Sequence, residues 1–325
     1  MTAEVTAGTL AVQGTAGAET IALAVRGDAL HVAVPGRDLR IPLAAFERIA
    51  IAPGAGEDRV EVGDLAGTPV WEVETDLGAD GDADAVTLAG SQEADFAELF
   101  GSAASTAVVG LPAFARIEAA DAGDALTLDG GGGDDSLSAS SYPGEGLALT
   151  LAGGPGDDGL FSGRGADVIH GGGGDDFAAG GAGDDLARLG GGNDIFRWDP
   201  GEGSDAVAGQ DGHDSLVFLG AGADSVSIGD LSGTPMAGSD WSLGALDGAP
   251  DSISADGTEG DDAFTITGGV QNPAGTSTSA EVRGLPASLL VTALEGADTL
   301  AGRGGEDTLD DSGLIPGGFG LSFVP

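Results

Sequence analysis

Five aspartates fall nine residues apart, at Asp158, Asp167, Asp176, Asp185 and Asp194. Each is the sixth residue of a nine-residue unit: GGPGDDGLF, SGRGADVIH, GGGGDDFAA, GGAGDDLAR and LGGGNDIFR run in unbroken register from Gly153 to Arg197. After Trp198 and Asp199 the register resumes with PGEGSDAVA from Pro200 and GQDGHDSLV from Gly209, which place Asp205 and Asp214 sixth. A separate copy, GGGGDDSLS from Gly130, supplies Asp135. Carboxylates repeated at one position of a turn are hard oxygen donors, the ligand type of calcium, which takes six to eight of them.

The rest of the unit positions those carboxylates. Clustered glycines admit positive φ and let the backbone turn tightly, with the aspartate ending the turn. The last three residues are about the length of a minimal strand, and an apolar eighth residue points inward: Leu160, Ile169, Phe196, Val207 and Leu216. In the nonads from Gly171 and Gly180 the eighth residue is Ala178 or Ala187, with Phe177 and Leu186 one place early, so the core is expected to thin there. Two nonads make one flat coil, and turns two nonads apart stack. The expected pairs are 158/176, 167/185, 176/194, 185/205 and 194/214. Without a counter-ion such columns crowd carboxylates in a partly shielded place. About five divalent ions between neighbouring turns relieve that repulsion, and their roughly ten charges still leave the molecule strongly acidic.

Composition agrees. The chain has 325 residues, 62 of them Gly, with 54 Asp plus Glu against 11 Lys plus Arg, no Cys and a net charge of -43. That surface repels nucleic acid and anionic membranes, and disulfides and thiolate metal sites are excluded. Acidity and glycine are also marks of disorder, but 41% of residues are hydrophobic and recur in alternating runs. No apolar run reaches a membrane-span length. The start, MTAEVTAGTLAVQGTAGAETIALAV, lacks a basic region before an apolar core, so no cleavable secretory signal is expected.

The nonads resemble the GGxGxDxUx calcium-binding repeats of the RTX family, the haemolysin-type repeat proteins secreted by bacteria. The resemblance implies a parallel β-roll with several Ca2+ held by paired aspartates and turn carbonyls. It also implies folding outside the cell and export by a type I secretion apparatus that reads an uncleaved C-terminal signal, to which the tail GLIPGGFGLSFVP is a weak match. The metal residues on this reading are Asp135, Asp158, Asp167, Asp176, Asp185, Asp194, Asp205 and Asp214, in an extracellular or cell-surface protein.

Degenerate copies occur in the flanks: GTAGAETIA from Gly14, PGAGEDRVE from Pro53, GSQEADFAE from Gly90, LGAGADSVS from Leu219, GTEGDDAFT from Gly257 and GRGGEDTLD from Gly302. Between them ALHVAV, RIAIA, VWEVE and LLVTAL alternate as strands do. The flanks also resemble each other, VGDLAGTPV from Val62 matching IGDLSGTPM from Ile228 and LGADGDADAVTLAG from Leu77 matching LGALDGAPDSISADG from Leu243. The expected organisation is all-β: a flanking module over 1–152, a calcium-binding β-roll over 153–218, and a second module, related to the first, over 219–325. The flanks are read as β-solenoid, with a β-sandwich as the alternative. The best helical candidate, Glu93 to Phe100, is short, so almost no helix is expected.

Catalysis finds little support. The doublets Asp134/Asp135, Asp157/Asp158, Asp175/Asp176 and Asp184/Asp185 are sequence neighbours repeated at every turn, whereas glycoside hydrolysis needs two carboxylates facing each other across a substrate. His31, His170 and His213 lie in no catalytic motif. A parallel solenoid can carry a uronate lyase or epimerase site, which needs basic groups to steady an acidic sugar; Arg37, Arg40, Arg48, Arg59, Arg116, Arg283 and Arg303 are scattered and read first as neutralising nearby acids. Trp71, Trp198 and Trp241 read as core fillers before sugar platforms. The functional expectation is therefore a calcium-binding structural or adhesive module with a cell-surface or polysaccharide partner. The alternatives are a carbohydrate-active enzyme or the C-terminal part of a larger RTX toxin or enzyme.

Overall fold

The computed structural model describes residues 1–102, 104–144, 147–198, 202 and 205–210 with their side chains, and from Asp211 onward the strands alone. Contacts divide the chain into two units, Met1–Asp167 and Val168–Pro325.

In the first unit the alternation of the sequence becomes short strands with one face inward: β1 (Thr2–Thr6), β2 (Thr9–Thr15), β3 (Thr20–Arg26), β4 (Ala29–Val34), β5 (Arg37–Pro42), β6 (Arg48–Gly54), β7 (Arg59–Val62), β8 (Glu72–Asp76), β9 (Ala85–Ala89), β10 (Phe96–Ser102), β11 (Ser105–Val109), β12 (Phe114–Glu118), β13 (Asp124–Asp129), β14 (Ser136–Ser138), β15 (Leu147–Pro155) and β16 (Gly159–Arg164). They form two sheets, β1-β2-β6-β8-β12-β11-β10-β14-β16 and β5-β4-β3-β7-β9-β13-β15. From β6 to β9 and from β13 to β16 the chain alternates between sheets. Each strand there lies parallel to one from a neighbouring coil, as Ile49 beside Val73 and Leu126 beside Leu149 show. That is the winding of a β-solenoid. Leu10, Ile21, Ile49, Val60, Leu99, Leu126, Leu128 and Leu137 fill the space between the sheets.

Two departures from pure coiling matter. At the start, the hairpins β1–β2 and β3–β4–β5 are antiparallel, and the outer strand β5 carries Arg37, Asp38, Arg40 and Pro42, which discourage pairing with another chain's edge. In the first sheet the meander β10–β11–β12 separates β8 from β14, while in the second sheet β9 pairs directly with β13. The meander turns Phe96 and Phe100 outward, Phe96 being 66% exposed. The stretch Glu93 to Phe100, the best helical candidate in the sequence, thus enters strand β10. Helix among the described residues is limited to one 3-10 turn, Leu43–Ala45.

The second unit opens with β17 (Val168–Gly173), β18 (Phe177–Ala182), β19 (Leu186–Gly191), β20 (Ile195–Trp198) and β21 (Ala206–Asp211). β17, β19 and β21 pair in parallel, Val168 beside Leu186 beside Ala206. β18 and β20 pair likewise, Phe177 beside Ile195. The offset between paired strands is eighteen residues from Val168 to Leu186 and twenty from Leu186 to Ala206. Trp198 is the last residue of β20 and is buried, a core filler. Later strands continue both parallel ladders through Ala287–Thr292 beside Thr308–Asp310 and Thr299–Arg303 beside Gly320–Phe323. LLVT (289–292) and the strand part of GRGGEDTLD therefore lie in parallel sheet, as expected for solenoid flanks.

Leu160, Ile169, Phe196 and Val207 all point inward at the eighth position; the side chain of Leu216 lies outside the described residues. Ala178 and Ala187 also point inward and are buried, while Phe177 and Leu186 face out half-covered. The strand phase is thus fixed by the turn and not by the larger side chain. In the turns, the second and fourth glycines have positive φ: Gly172 and Gly174 (125° and 133°), Gly190 and Gly192 (116° and 145°). The third does not, and a Cβ at Gly173 meets nothing within 4 Å, whereas one at Gly192 would lie 2.0 Å from the Gly174 carbonyl oxygen. Replacing Gly192 with Ala should therefore cost at least about 2–3 kcal/mol, through backbone strain and lost turn geometry. Gly173→Ala should be neutral within about 0.5 kcal/mol. Urea denaturation at saturating calcium measures both.

Candidate metal centre

Because the strand phase is set at the turn, positions six and eight face the same way, and the sixth-position aspartate enters the corner of the coil. Asp135, Asp158, Asp167, Asp176, Asp185, Asp194 and Asp205 are all buried, with exposures of 0–3%. Burial of a carboxylate is costly unless it is hydrogen-bonded or meets a charge. The first need is met by stacking. The backbone N–H of Asp176 donates to Asp194 Oδ1 (2.8 Å) and that of Asp185 to Asp205 Oδ1 (3.0 Å). Asp95 N–H donates to Asp135 Oδ1 and Asp135 N–H to Asp158 Oδ1, each at 2.7 Å. Each aspartate thus caps the turn of the preceding coil.

The pairs 176/194 and 185/205 stand together as the spacing requires. Asp135, in a copy that reads as isolated, stacks directly against Asp158, which is therefore not the first of its column. Asp167 is buried at the end of the first unit; Asp214, and with it the pair 194/214, lies outside the described residues.

The second carboxylate oxygen, Oδ2, is buried as well. It folds back over the first residue of its own turn, so that a Cβ at Gly130, Gly171 or Gly180 would come within 2.3–2.4 Å of Oδ2 of Asp135, Asp176 or Asp185. Asp135 Oδ2 and Asp205 Oδ2 are buried without a hydrogen-bond partner. When ionised, such atoms carry negative charge with no donor to screen it. A hard cation fits this donor set, which is all oxygen and backed by turn carbonyls. Among the described residues no three acidic or histidine side chains converge on one point. An ion here would therefore be held by stacked carboxylates together with backbone oxygens.

The fifth-position neighbours do more than solvate the surface. Asp157 N–H donates to Asp134 Oδ1 (3.0 Å), and Asn193 donates its N–H (2.7 Å) and its Nδ2 (3.2 Å) to Asp175 Oδ1. This exposed ladder runs from the later coil to the earlier one, opposite to the buried ladder. The repeated doublet was its sequence signal.

The same capping extends to residues that nonad spacing misses. Glu19 N–H donates to Asp58 Oδ1 (2.8 Å), Asp58 N–H to Asp84 Oδ1 (2.8 Å) and Asp84 N–H to Asp124 Oδ1 (2.9 Å). Glu19, Asp58 and Asp95 are the sixth residues of the degenerate copies from Gly14, Pro53 and Gly90, which is where the sequence does signal them; Asp84 and Asp124 fit no nonad.

The other candidates for chemistry are occupied elsewhere. His31 Nδ1 lies 3.1 Å from Asp38, and His170, beside Arg188 on the next strand, is held below its ordinary pKa first by burial and then by that arginine. His213 lies outside the described residues. Arg40 pairs with Asp28, Arg48 with Glu72 (3.1 Å) and Arg116 with Glu118 (3.6 Å), and Arg48 also lies 5.6 Å from the ring of Trp71.

Burial, the largest cause, and then the neighbouring acids raise the buried carboxyls against the lowering effect of the backbone N–H. Asp135 rises to about 6 and Asp205 to about 8, and Asp158 shifts in the same direction. A folded-state pKa above the unfolded one means that protonation favours the fold. The contribution is full below the ordinary carboxylate range and is lost as pH rises through about 6 and then about 8. In chelator, the urea midpoint should therefore rise as pH is lowered from 8 to 5. With saturating calcium, which needs the deprotonated ligands, it should fall over the same range. A chelated protein indifferent to pH across this window contradicts the assignment of buried, cation-less carboxyls.

The model of the RTX calcium-binding nonapeptide repeat (4 copies) matches residues 127–141, 150–178, 170–197 and 290–310. No curated protein matches the chain. The first three matched segments contain the buried aspartates from Asp135 to Asp194, and the fourth contains the whole of the last degenerate copy. The chain therefore contains RTX calcium-binding nonapeptide repeats, which support calcium binding by its β-roll.

Proposed function

We propose that this protein is a secreted structural or adhesive module whose β-roll orders when calcium binds. We assign the ions, about five in the central roll, to Asp135, Asp158, Asp167, Asp176, Asp185, Asp194, Asp205 and Asp214, with the roll itself over 153–218 between modules at 1–152 and 219–325. The observation that carries this reading is the buried ladder, in which one carboxylate oxygen caps a neighbouring turn and, at Asp135 and Asp205, the other has no partner. Calcium supplies the positive charge that such oxygens lack. The residues of the chain do the rest: the N–H of each coil holds the next aspartate in place, and the positive-φ glycines bring the backbone of the turn around it.

Coupled folding follows from the same charges. At low calcium the acids of a column repel one another, and stacking coils adds to that repulsion with each turn. Millimolar calcium, the extracellular range, removes it. Export in an unfolded state through a type I secretion apparatus suits a chain that orders only after it meets that concentration. The adhesive part of the reading is supported by the outward Phe96 and Phe100 on the β10–β12 meander, apolar groups on a surface that is otherwise acidic. A polysaccharide or cell-surface partner is the ligand type we assign to it.

The test is a calcium titration followed by far-UV circular dichroism and thermal melting. Between chelator and about 10 mM Ca2+, a range set by extracellular modules, β-signal and melting temperature should both rise. Asp176→Asn should lower the number of bound ions and raise the calcium midpoint. Unchanged spectra and melting across the titration would overturn coupled folding.

A further inference from the structure

The first unit has a second buried ladder, Glu19–Asp58–Asp84–Asp124, on turns that the nonapeptide family does not match. Its two ends are closed. Glu19 Oε2 accepts the Thr15 N–H (2.8 Å) and Oε1 the Thr15 hydroxyl (2.6 Å), while Asp124 takes the Asp84 N–H on Oδ1 and the Asp121 N–H on Oδ2 (2.8 Å). The interior is open. Asp58 is 3% exposed, its Oδ1 is used by Glu19 N–H, and its Oδ2 is buried with no hydrogen-bond partner.

Near Asp58, close enough for Asp80 and Asp82 to act on its charge and for Asp84 to accept its N–H, is the turn Asp80-Gly81-Asp82-Ala83-Asp84, with acids at alternate residues. It is tied to the neighbouring turns by Gly56 N–H on Asp82 Oδ2 (2.9 Å) and by its own Gly81 N–H on Asp121 Oδ2 (2.9 Å). Asp121 Oδ1 is a second buried oxygen without a partner. Among the described residues no arginine comes within ion-pair distance of Asp58, Asp80, Asp82, Asp84 or Asp121. A cation would supply the charge that the surroundings of this oxygen lack.

We propose that Asp58 and the Asp80–Asp84 turn bind a divalent cation of the calcium class, at a site separate from the nonads. Since no three acidic side chains converge among the described residues, the carboxylates contribute as a ladder pair, Asp58 with Asp84, and the remaining oxygens come from turn carbonyls and water. The closed rungs at Glu19 and Asp124 mark where the site stops. The ion would hold together coils whose spacings, 39, 26 and 40 residues along the ladder, lack the regularity of the roll. The inference rests on the reading that an open oxygen in a buried aspartate ladder is a calcium ligand.

The experiment counts calcium bound per chain by equilibrium dialysis and metal analysis, on the full chain at millimolar free calcium. Asp58→Asn should bind one ion fewer than the parent, and Glu19→Gln, on the same ladder but at a closed rung, the same number. Should Asp58→Asn fail to fold, Asp84→Asn decides, since its amide oxygen still accepts the Asp58 N–H: the same ion should be lost or bound at least tenfold more weakly. An unchanged count in the variant that folds, or an equal loss in Glu19→Gln, overturns the proposal. Asp135→Asn keeps the two readings apart. If it loses calcium while Asp58→Asn does not, only the new site falls; if the parent chain binds none, both fall.

Discussion

The structure depends on one interaction, the acceptance of a backbone N–H by an aspartate one coil further along. It caps an otherwise orphan donor at the turn. It also draws the carboxylate out of water, to 3% exposure or less, so the same contact that satisfies one polar group leaves another in need of charge. Everything else is arranged around that tension: glycines at the second and fourth positions make room for the turn, and the eighth residue carries the apolar contact that drives the coil to close. Because each aspartate serves its neighbour, a coil alone can neither cap itself nor screen itself, and stability is shared between adjacent coils as in other solenoids.

A ladder of this kind needs an end. Glu19 and Asp95 supply it in the first unit by the same means: Glu19 Oε2 accepts the N–H of Thr15, and Asp95 Oδ2 that of Ser91 (2.6 Å), in each case a donor four residues earlier in the same turn. The second oxygen, open at Asp58 and Asp135, is thereby consumed within the turn. Glutamate does this at Glu19 with an extra methylene, which lets the second oxygen also reach the Thr15 hydroxyl. The antiparallel hairpins and the charged strand β5 then guard the sheet edges.

The central roll was legible in the sequence because its loops have constant length, so that register in space equals register in sequence. Where loop length varies, the two separate. Asp135 reads as isolated because twenty-three residues, not eighteen, divide it from Asp158; Asp84 and Asp124 carry no nonad at all, yet strand pairing brings them into the same ladder. Extra loop residues cost little in closure entropy, so a column can be kept while the period is lost. The meander β10–β12 was hidden for a related reason: its strands alternate like the others, and nothing in a strand's own pattern says whether its neighbour is parallel or antiparallel. Ala178 and Ala187 show the converse. The larger Phe177 and Leu186 lie beside them, but the turn sets the phase and the alanines stay inside.

The acids of this chain therefore belong to two populations with opposite physics. Sixth-position residues such as Asp135 and Asp205 are buried, held in one place by an N–H, and raised in pKa chiefly by burial. Fifth-position residues such as Asp134, Asp157 and Asp175 lie on the outside, accept hydrogen bonds in the reverse direction or meet solvent, and keep the net charge far from zero. A cation bound at the corner relieves only the first group. The outer group goes on repelling other molecules of the same kind, which keeps a long parallel sheet from joining its neighbours. Calcium occupancy and surface charge are thus separable in this fold: an ion at the corner would act on the buried acids alone, and the outer acids keep the surface negative whether or not it is bound.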